Sequence, residues 1–236
     1  MTSKFTVSQL AKYFDHTALK SEATHEEIKS LCDEAKRLGV AAVCINPVWI
    51  PVAKKYLSSS SVMPITVVGF PLGAMGTESK VFEARRAVSL GALEIDMVLS
   101  VGELKSNMLD EARRDINEVK KAIGHIPLKV IFETSLLNKD EIFKVAKWCA
   151  DDGIDFVKTS TGFGARGASL EDIKIMREAI GSVTGAKTKI KASGGIRTLK
   201  DTLAMIEAGA SRIGASATKS ILNELQGGAV DGKSGY

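Results

Sequence analysis

The sequence contains the stretch Phe156-Val157-Lys158-Thr159-Ser160-Thr161-Gly162, an apolar run that ends in a lysine and continues into small residues and a glycine. The stretch Lys189-Ile190-Lys191-Ala192-Ser193-Gly194-Gly195 has the same form. An ammonium group is costly to bury in an apolar strand, so each lysine is expected to be neutral, ion-paired or beside a solvent-filled site. The two stretches predict two strands that carry Lys158 and Lys191 near their ends.

Similar runs occur along most of the chain. From residue 40 onward, short β-branched or apolar runs alternate with amphipathic segments of helical period, which is typical of repeated strand-helix units around a parallel sheet. An amphipathic segment at 7–14 precedes a short early strand. The eight predicted strands are residues 15–19, 40–46, 65–70, 94–100, 128–133, 156–160, 189–193 and 212–215.

The residues between these runs have the pattern of helix boundaries. Three pairs have the spacing of helix N-caps: Thr24 with Glu27, Asn138 with Glu141, and Ser169 with Asp172. Five glycines stand where helices should end: Gly39, Gly91, Gly124, Gly153 and Gly209. Every strand is therefore expected to be followed by a helix.

Eight strands and eight following helices in 236 residues predict a (β/α)8 TIM barrel of the α/β class. A doubly wound sheet would need fewer strands or more residues, and no GxGxxG motif follows the first strand pair. We expect one barrel domain over residues 1–236, with an extra N-terminal helix. The glycine-rich polar segment 227–236 is predicted to be a mobile tail.

Composition excludes several classes of protein. The chain has 44% hydrophobic and 25% charged residues, and 32 basic against 28 acidic side chains give a net charge of +4. This balance suits small anionic metabolites but lacks the basic stripe of a nucleic-acid binder. The most apolar stretch, 62–75, is broken by prolines and glycines, so no membrane span is predicted. Three cysteines without a CxxC pair indicate a reducing compartment, the cytoplasm, and no thiolate metal site.

Polar residues near the strand ends form the candidate site, because reactions in such barrels take place at the carboxyl ends of the strands. These residues are Asp15, Cys44, Asp96, Glu133, Lys158 and Lys191. Two nearby lysines are expected to lower each other's pKa, and a neutral lysine can form a Schiff base with a carbonyl carbon. Asp96 could carry protons for such a reaction. Lys189 is expected to begin its strand and reach water at the opposite mouth.

Two glycine-bearing turns follow the last two strands, at 193–198 and 214–218. Phosphate sites in these barrels are commonly formed by the loops after strands seven and eight. Gly194 and Gly195 permit close approach of the backbone, while Arg197 and Ser216 add donors. A phosphate site beside a strand-six lysine predicts a phosphosugar enzyme that forms an imine, an electron sink for the cleavage of a carbon-carbon bond.

At these residues the chain closely resembles the deoxyribose-phosphate aldolase family of class I aldolases. The resemblance spans nearly the whole chain. It includes Asp15-His16-Thr17-Ala18-Leu19, Val43-Cys44-Ile45-Asn46-Pro47, Val68-Gly69-Phe70-Pro71-Leu72-Gly73, Glu94-Ile95-Asp96-Met97-Val98, Lys158-Thr159-Ser160-Thr161-Gly162 and Ala192-Ser193-Gly194-Gly195-Ile196-Arg197. It implies reversible cleavage of 2-deoxy-D-ribose 5-phosphate to D-glyceraldehyde 3-phosphate and acetaldehyde, in deoxyribonucleotide catabolism, without a metal or cofactor.

The resemblance also implies roles for individual residues. Lys158 forms the imine, Lys191 lowers its pKa and relays protons, and Asp96 donates and accepts protons with support from Asp15. The C-terminal Tyr236 is a candidate lid residue. The substrate-binding residues are predicted to be Cys44, Thr161, Gly162, Gly194, Gly195, Arg197, Gly214 and Ser216. Some relatives have a lysine and a serine where this chain has Phe163 and Ala217. As in relatives, a homodimer or homotetramer is expected.

Two other functions remain open at this point. A phosphosugar isomerase or epimerase barrel would share the phosphate turns but use carboxylates as bases, with no covalent lysine. A non-catalytic barrel that binds a phospholigand is the third reading, because a fold does not guarantee chemistry. Taken singly, Lys158 could be a paired structural lysine, Asp96 its counter-ion and Cys44 a small buried residue.

Overall fold

The computed structural model describes residues 5–227, and within them eight parallel strands close into a barrel in chain order. The strands are β1 Phe14–Ala18, β2 Ala42–Ile45, β3 Met63–Val68, β4 Ile95–Val98, β5 Leu128–Ile131, β6 Phe156–Lys158, β7 Lys189–Ser193 and β8 Arg212–Ala215. The ladder places Lys158 beside Lys191 and Asp96 beside Lys129. The prediction of a (β/α)8 barrel is confirmed.

A helix follows every strand. The helices are α1 Val7–Ala11, α2 His25–Leu38, α3 Ile50–Leu57, α4 Thr77–Leu90, α5 Val101–Lys105, α6 Leu109–Ile123, α7 Lys139–Asp151, α8 Leu170–Gly181, α9 Leu199–Ala208 and α10 Thr218–Leu225. α5 is an additional short helix in the connection between β4 and α6. Among residues 5–227, no helix has both the length and the apolar character needed to cross a membrane.

Local sequence sets the helix boundaries as predicted. Thr24 and Asn138 begin α2 and α7 with full capping boxes, and the side chain of Ser169 accepts a hydrogen bond from the backbone at the start of α8. α2 ends at Gly39, which has a φ of 68°, a conformation that favours glycine. α1 is shorter than the predicted segment 7–14 because Phe14 already belongs to β1.

Every predicted run overlaps one strand, but four of them extend two residues too far, at residues 70, 100, 133 and 160. The chain leaves the ladder there because polar groups bind the adjacent turns instead. The hydroxyl of Thr159, for example, donates to the carbonyl of Ser193 at 2.9 Å. Glu133 adopts a φ of 51°, which is incompatible with a strand. The strands therefore end where the candidate site begins.

The barrel interior has an apolar half and a charged half. On β2 and β3 the inward side chains form a small buried cluster that includes Cys44, Ile65 and Val67. The remaining strands bring ionisable side chains inward, and the outward faces of all strands pack under the helices in the main core. Because successive side chains of a strand point to opposite faces, charged groups lie inside the barrel. The apolar side chains on the outer face are buried under the helices, and this burial stabilises the fold.

At the amino-terminal mouth, α1 packs Leu10 and Ala11 fully into the core. The backbone of Tyr13 then accepts a hydrogen bond of 2.7 Å from Ile213 of β8. Lys189 is exposed at the same mouth, as predicted from its place at the start of β7. The predicted tail, apart from Gly227, lies outside the described residues, and Tyr236 with it.

Candidate active site

A cavity of about 230 Å³ opens at the carboxyl ends of β1, β6, β7 and β8. Lys158 lies at its floor and is 3% exposed. Among the described residues that line the cavity, the only ionisable side chains are Lys158, Arg166 and Arg197, and none is a carboxylate. An amine is therefore the reactive group that this cavity presents.

The nitrogen of Lys158 is held by a single carboxylate. Its Nζ donates to Oδ2 of Asp96 at 2.8 Å. Burial lowers the pKa of Lys158, Asp96 raises it, and the nearby ammonium of Lys191 lowers it again, so that the net direction is downward. A lowered pKa increases the fraction of neutral amine, which is the form that attacks a carbonyl carbon.

Lys191 has the opposite behaviour. Its Nζ contacts both Asp15 and Asp96, the latter at 2.7 Å, and it is fully buried. Burial lowers the pKa of Lys191, but these two carboxylates raise it above the ordinary value. The expectation that the two lysines lower each other's pKa is therefore wrong for Lys191, because two anions hold its charge while Lys158 has only one.

Asp96 lies at the centre of the site and contacts three lysines. It accepts hydrogen bonds from Lys158, from Lys191 and, at 2.8 Å, from Lys129. Burial would raise the pKa of Asp96, but Lys129, Lys158 and Lys191 together hold it well below its usual range. Asp96 is thus a buried carboxylate that reaches the cavity only through Lys158.

Sequence reasoning missed Lys129. It occupies the interior of β5, is fully buried and also contacts Oε2 of Glu94 at 2.5 Å. The signal was available, since a lysine between Leu128 and Val130 is as unusual as Lys158 in its own strand. No glycine turn follows Lys129, and from its predicted strand only Glu133 was assigned to the site.

Seven of the eight predicted substrate-binding residues line the same cavity as Lys158: Thr161, Gly162, Gly194, Gly195, Arg197, Gly214 and Ser216. Gly194 and Gly195 have φ values of 87° and 74°, which glycine adopts readily. A side chain on Gly167 would lie 2.0 Å from the carbonyl oxygen of Gly194, so this glycine lets the β6–α8 loop pack on the β7–α9 turn.

Other predicted residues have different surroundings. Gly214 lines the cavity, but a Cβ there would also lie 3.1 Å from Cε of Lys191, so its absence leaves room for that lysine. The hydroxyl and amide of Thr161 donate to Glu133, which therefore orders a loop rather than pairing with interior lysines.

Cys44, which was predicted to bind substrate, is buried in the apolar half of the barrel and does not line the cavity. Burial raises the pKa of its thiol to about 11.

Comparison with known proteins identifies the family. The model for DeoC/LacD family aldolases matches residues 9–229. This chain belongs to the DeoC/LacD aldolase family. A deoxyribose-phosphate aldolase from Thermoanaerobacter sp. (strain X514) is 51% identical over 218 residues, which cover 91% of this chain and 96% of the relative. One from Mannheimia succiniciproducens is 49% identical over 228 residues, covering 97% and 98%.

The fold of this DeoC/LacD aldolase also matches solved structures. The tetrameric deoxyribose phosphate aldolase from Aeropyrum pernix superposes with a TM-score of 0.83 at 28% identity, covering 94% of this chain and 92% of that one. Among the cavity residues of the aldolase that sequence reasoning missed are Thr17, Leu19 and Arg166. The guanidinium of Arg166 donates to Asp172 and to the carbonyl of Thr134, contacts that no local pattern indicates.

Proposed function

We propose that this aldolase cleaves 2-deoxy-D-ribose 5-phosphate to D-glyceraldehyde 3-phosphate and acetaldehyde, and catalyses the reverse addition, by a class I mechanism. The observation that carries the proposal is one cavity that holds both the amine of Lys158 and the glycine turns after β7 and β8. Phosphate bound at the turns would direct the rest of an extended sugar toward the lysine. The named relatives support the choice of substrate.

In the proposed reaction, neutral Lys158 attacks the aldehyde carbon C1 of the open-chain sugar and gives a carbinolamine, which loses water to form an iminium ion. The C3 hydroxyl loses its proton, the C2–C3 bond breaks, and its electron pair flows into the iminium. D-Glyceraldehyde 3-phosphate leaves as an aldehyde. The remaining enamine takes up a proton at C2, and hydrolysis releases acetaldehyde and restores the amine.

The surrounding charges support this cycle. We assign to Lys191 a fixed positive charge that favours the neutral form of Lys158, and to Asp15 the task of holding Lys191 in place. Asp96 lies 2.8 Å from the nitrogen of Lys158, where it can accept or return a proton as the imine forms and hydrolyses. The role of Tyr236 as a lid stays a prediction.

The test of the proposed function is chemical trapping. We expect acetaldehyde with cyanoborohydride to reduce an imine on Lys158, so that peptide mass spectrometry finds a two-carbon adduct on this lysine and loss of aldolase activity follows its formation. Two results would contradict the proposal. One is an adduct on another lysine together with full loss of activity, and the other is an active enzyme that never forms an adduct on Lys158.

A second prediction concerns phosphate recognition by Arg197, which lines the cavity in the β7–α9 turn. Replacing it with methionine removes a cation but keeps a long side chain, so kcat/KM for deoxyribose 5-phosphate should fall roughly 10-fold through KM. The control is unphosphorylated 2-deoxyribose, whose kcat/KM should not change. Equal losses with both substrates would contradict a role at the phosphate.

The isomerase or epimerase hypothesis has less support, because it needs a carboxylate base and none of the described residues lining the cavity is an aspartate or glutamate.

The assembly and the cellular location of the protein stay proposals. A homodimer or homotetramer is consistent with the tetrameric structure from Aeropyrum pernix, and light scattering of the purified protein would measure it. The cytoplasmic location rests on the three unpaired cysteines of the sequence.

A further inference from the structure

Six of the ionisable side chains inside the barrel form a closed ring of ion pairs. Each contacts the next, and the last contacts the first, with nitrogen-oxygen separations of 3.2 Å or less. In order around the ring they are Asp96, Lys191, Asp15, Arg212, Glu94 and Lys129. We call this set the interior ring; Lys158 joins it only as a side branch, through Asp96.

The interior ring alternates cations and anions, three of each. Every cation of the ring contacts two carboxylates, and every carboxylate contacts two ring cations. Lys158 is a fourth cation when protonated, and it contacts a single carboxylate that is already paired twice. The ring is therefore neutral by itself, and a proton on Lys158 would give the buried assembly a net charge of +1.

A net charge costs more in a buried environment than a balanced and fully hydrogen-bonded set of charges does. Five of the six ring side chains are at most 6% exposed, and Arg212 is 13% exposed. The directions of the pKa shifts agree with this count: against the effect of burial, carboxylates raise the pKa of Lys129 and of Arg212, as they do for Lys191. Lys158 is the group that can release its proton at least cost.

We propose that the charge balance of the interior ring selects Lys158 as the nucleophilic amine, and that Glu94, Lys129 and Arg212 are positioning residues that set its protonation from the far side of the barrel. This inference rests on the proposed function of Lys158. None of the three lines the substrate cavity, and Glu94 and Arg212 lie instead at the opposite mouth. Their effect on the amine must therefore be electrostatic rather than through contact with substrate.

The other groups that face Lys158 add no charge to the balance between the interior ring and Lys158. Asp96 on β4 and Lys191 on β7 belong to the ring. Cys44 on β2 has a pKa raised by burial and is a neutral thiol at physiological pH. The charge on Lys158 is therefore controlled by ring members, directly or through Asp96.

The experiment measures the rate of imine trapping on Lys158 with acetaldehyde and cyanoborohydride as a function of pH. Acetaldehyde has no titrating group, so the acidic limb of the profile reports the free amine. Lys129→Met removes a cation, which lets a protonated Lys158 restore the balance. We expect the limb to move to higher pH, with the trapping rate at a fixed pH on this limb at least about threefold slower, equivalent to about 0.5 pH unit.

Glu94→Gln should have the opposite effect, because it removes an anion while preserving the shape of the side chain. The limb should move to lower pH, with trapping at least about threefold faster at the same fixed pH. In the double variant Lys129→Met/Glu94→Gln, two cations face two anions around a neutral Lys158. Its profile should return to within about twofold of the wild type, a rescue that lost packing cannot produce.

The matched control is Lys189→Met. The Nζ atoms of Lys129 and Lys189 lie 5.7 and 5.8 Å from the centre of the same Phe156 ring, but Lys189 is exposed and outside the interior ring. Its profile should match that of the wild type. Thermal unfolding identifies any variant that does not fold. If either Lys129→Met or Glu94→Gln does not fold, the shift of the pH profile in the other variant decides the test.

The outcomes separate the two proposals. If wild-type enzyme forms no adduct on Lys158, the proposed function fails. If it does, but the folded single variants keep the wild-type profile or shift in the same direction, the charge-balance inference is overturned. Opposite shifts with rescue in the double variant support it.

Discussion

Replacing Lys158 with arginine should abolish turnover, with a fall in kcat/KM of about 10⁴-fold or more. Arginine keeps a positive charge at the end of β6, but a guanidinium does not lose its proton and cannot form the imine. The measurement is a coupled assay for D-glyceraldehyde 3-phosphate released from deoxyribose 5-phosphate. The same variant should form no adduct with acetaldehyde.

Lys158→Met is the companion variant, because it removes the amine without adding charge beside Asp96, its partner at 2.8 Å. Both variants should be inactive, while thermal unfolding of the methionine variant should stay close to that of the wild type. Turnover retained in either variant would contradict the imine and favour the isomerase or epimerase reading, which needs no covalent lysine.

Lys191→Met should lower kcat/KM at pH 7 by a factor on the order of 100 and should make it recover as the pH rises. Without this cation, burial alone opposes the effect of Asp96 on Lys158, so the pKa of Lys158 rises. Less neutral amine is then present at pH 7, and more appears as the pH approaches the new pKa. The measurement is the pH profile of kcat/KM.

The fold should tolerate Lys191→Met, because a protonated Lys158 keeps three cations against the three carboxylates of the interior. Lys189→Met, two residues earlier on β7 and exposed, is the control and should leave the profile unchanged. A loss in Lys191→Met that is equal at every pH would contradict the electrostatic role. It would favour a proton-relay role for Lys191 instead.

Much of the fold follows from local patterns. Alternation of apolar runs with amphipathic segments predicted eight strands, of which β7 and β8 have the predicted bounds. N-caps such as Thr24 and Asn138 act within one turn of the chain, so their effect is contained in the sequence itself. The strand ends were less well predicted, because contacts such as that of Thr159 with Ser193 depend on a neighbouring turn.

Sequence reasoning found the lysines that a glycine turn follows and missed Lys129, which stands in an apolar strand without such a turn. Lys158 and Lys191 stand in apolar strands followed by glycine turns, and parallel strands place such ends at the same mouth. Arg166 had no local sign of its surroundings, since its place in the cavity wall depends on Asp172 and Thr134. Cys44 was assigned to the substrate, but its side chain lies in the apolar half of the barrel.

The barrel and the mouth at which its lysines meet follow from the sequence alone, because hydrophobic alternation and capping act between near neighbours in the chain. Which of the two lysines holds its charge depends on contacts that form when the barrel closes. Lys191 meets Asp15 across 176 residues, and Arg212 meets Asp15 across 197. Electrostatic energy depends on distance in space and on burial, and barrel closure sets both of these quantities.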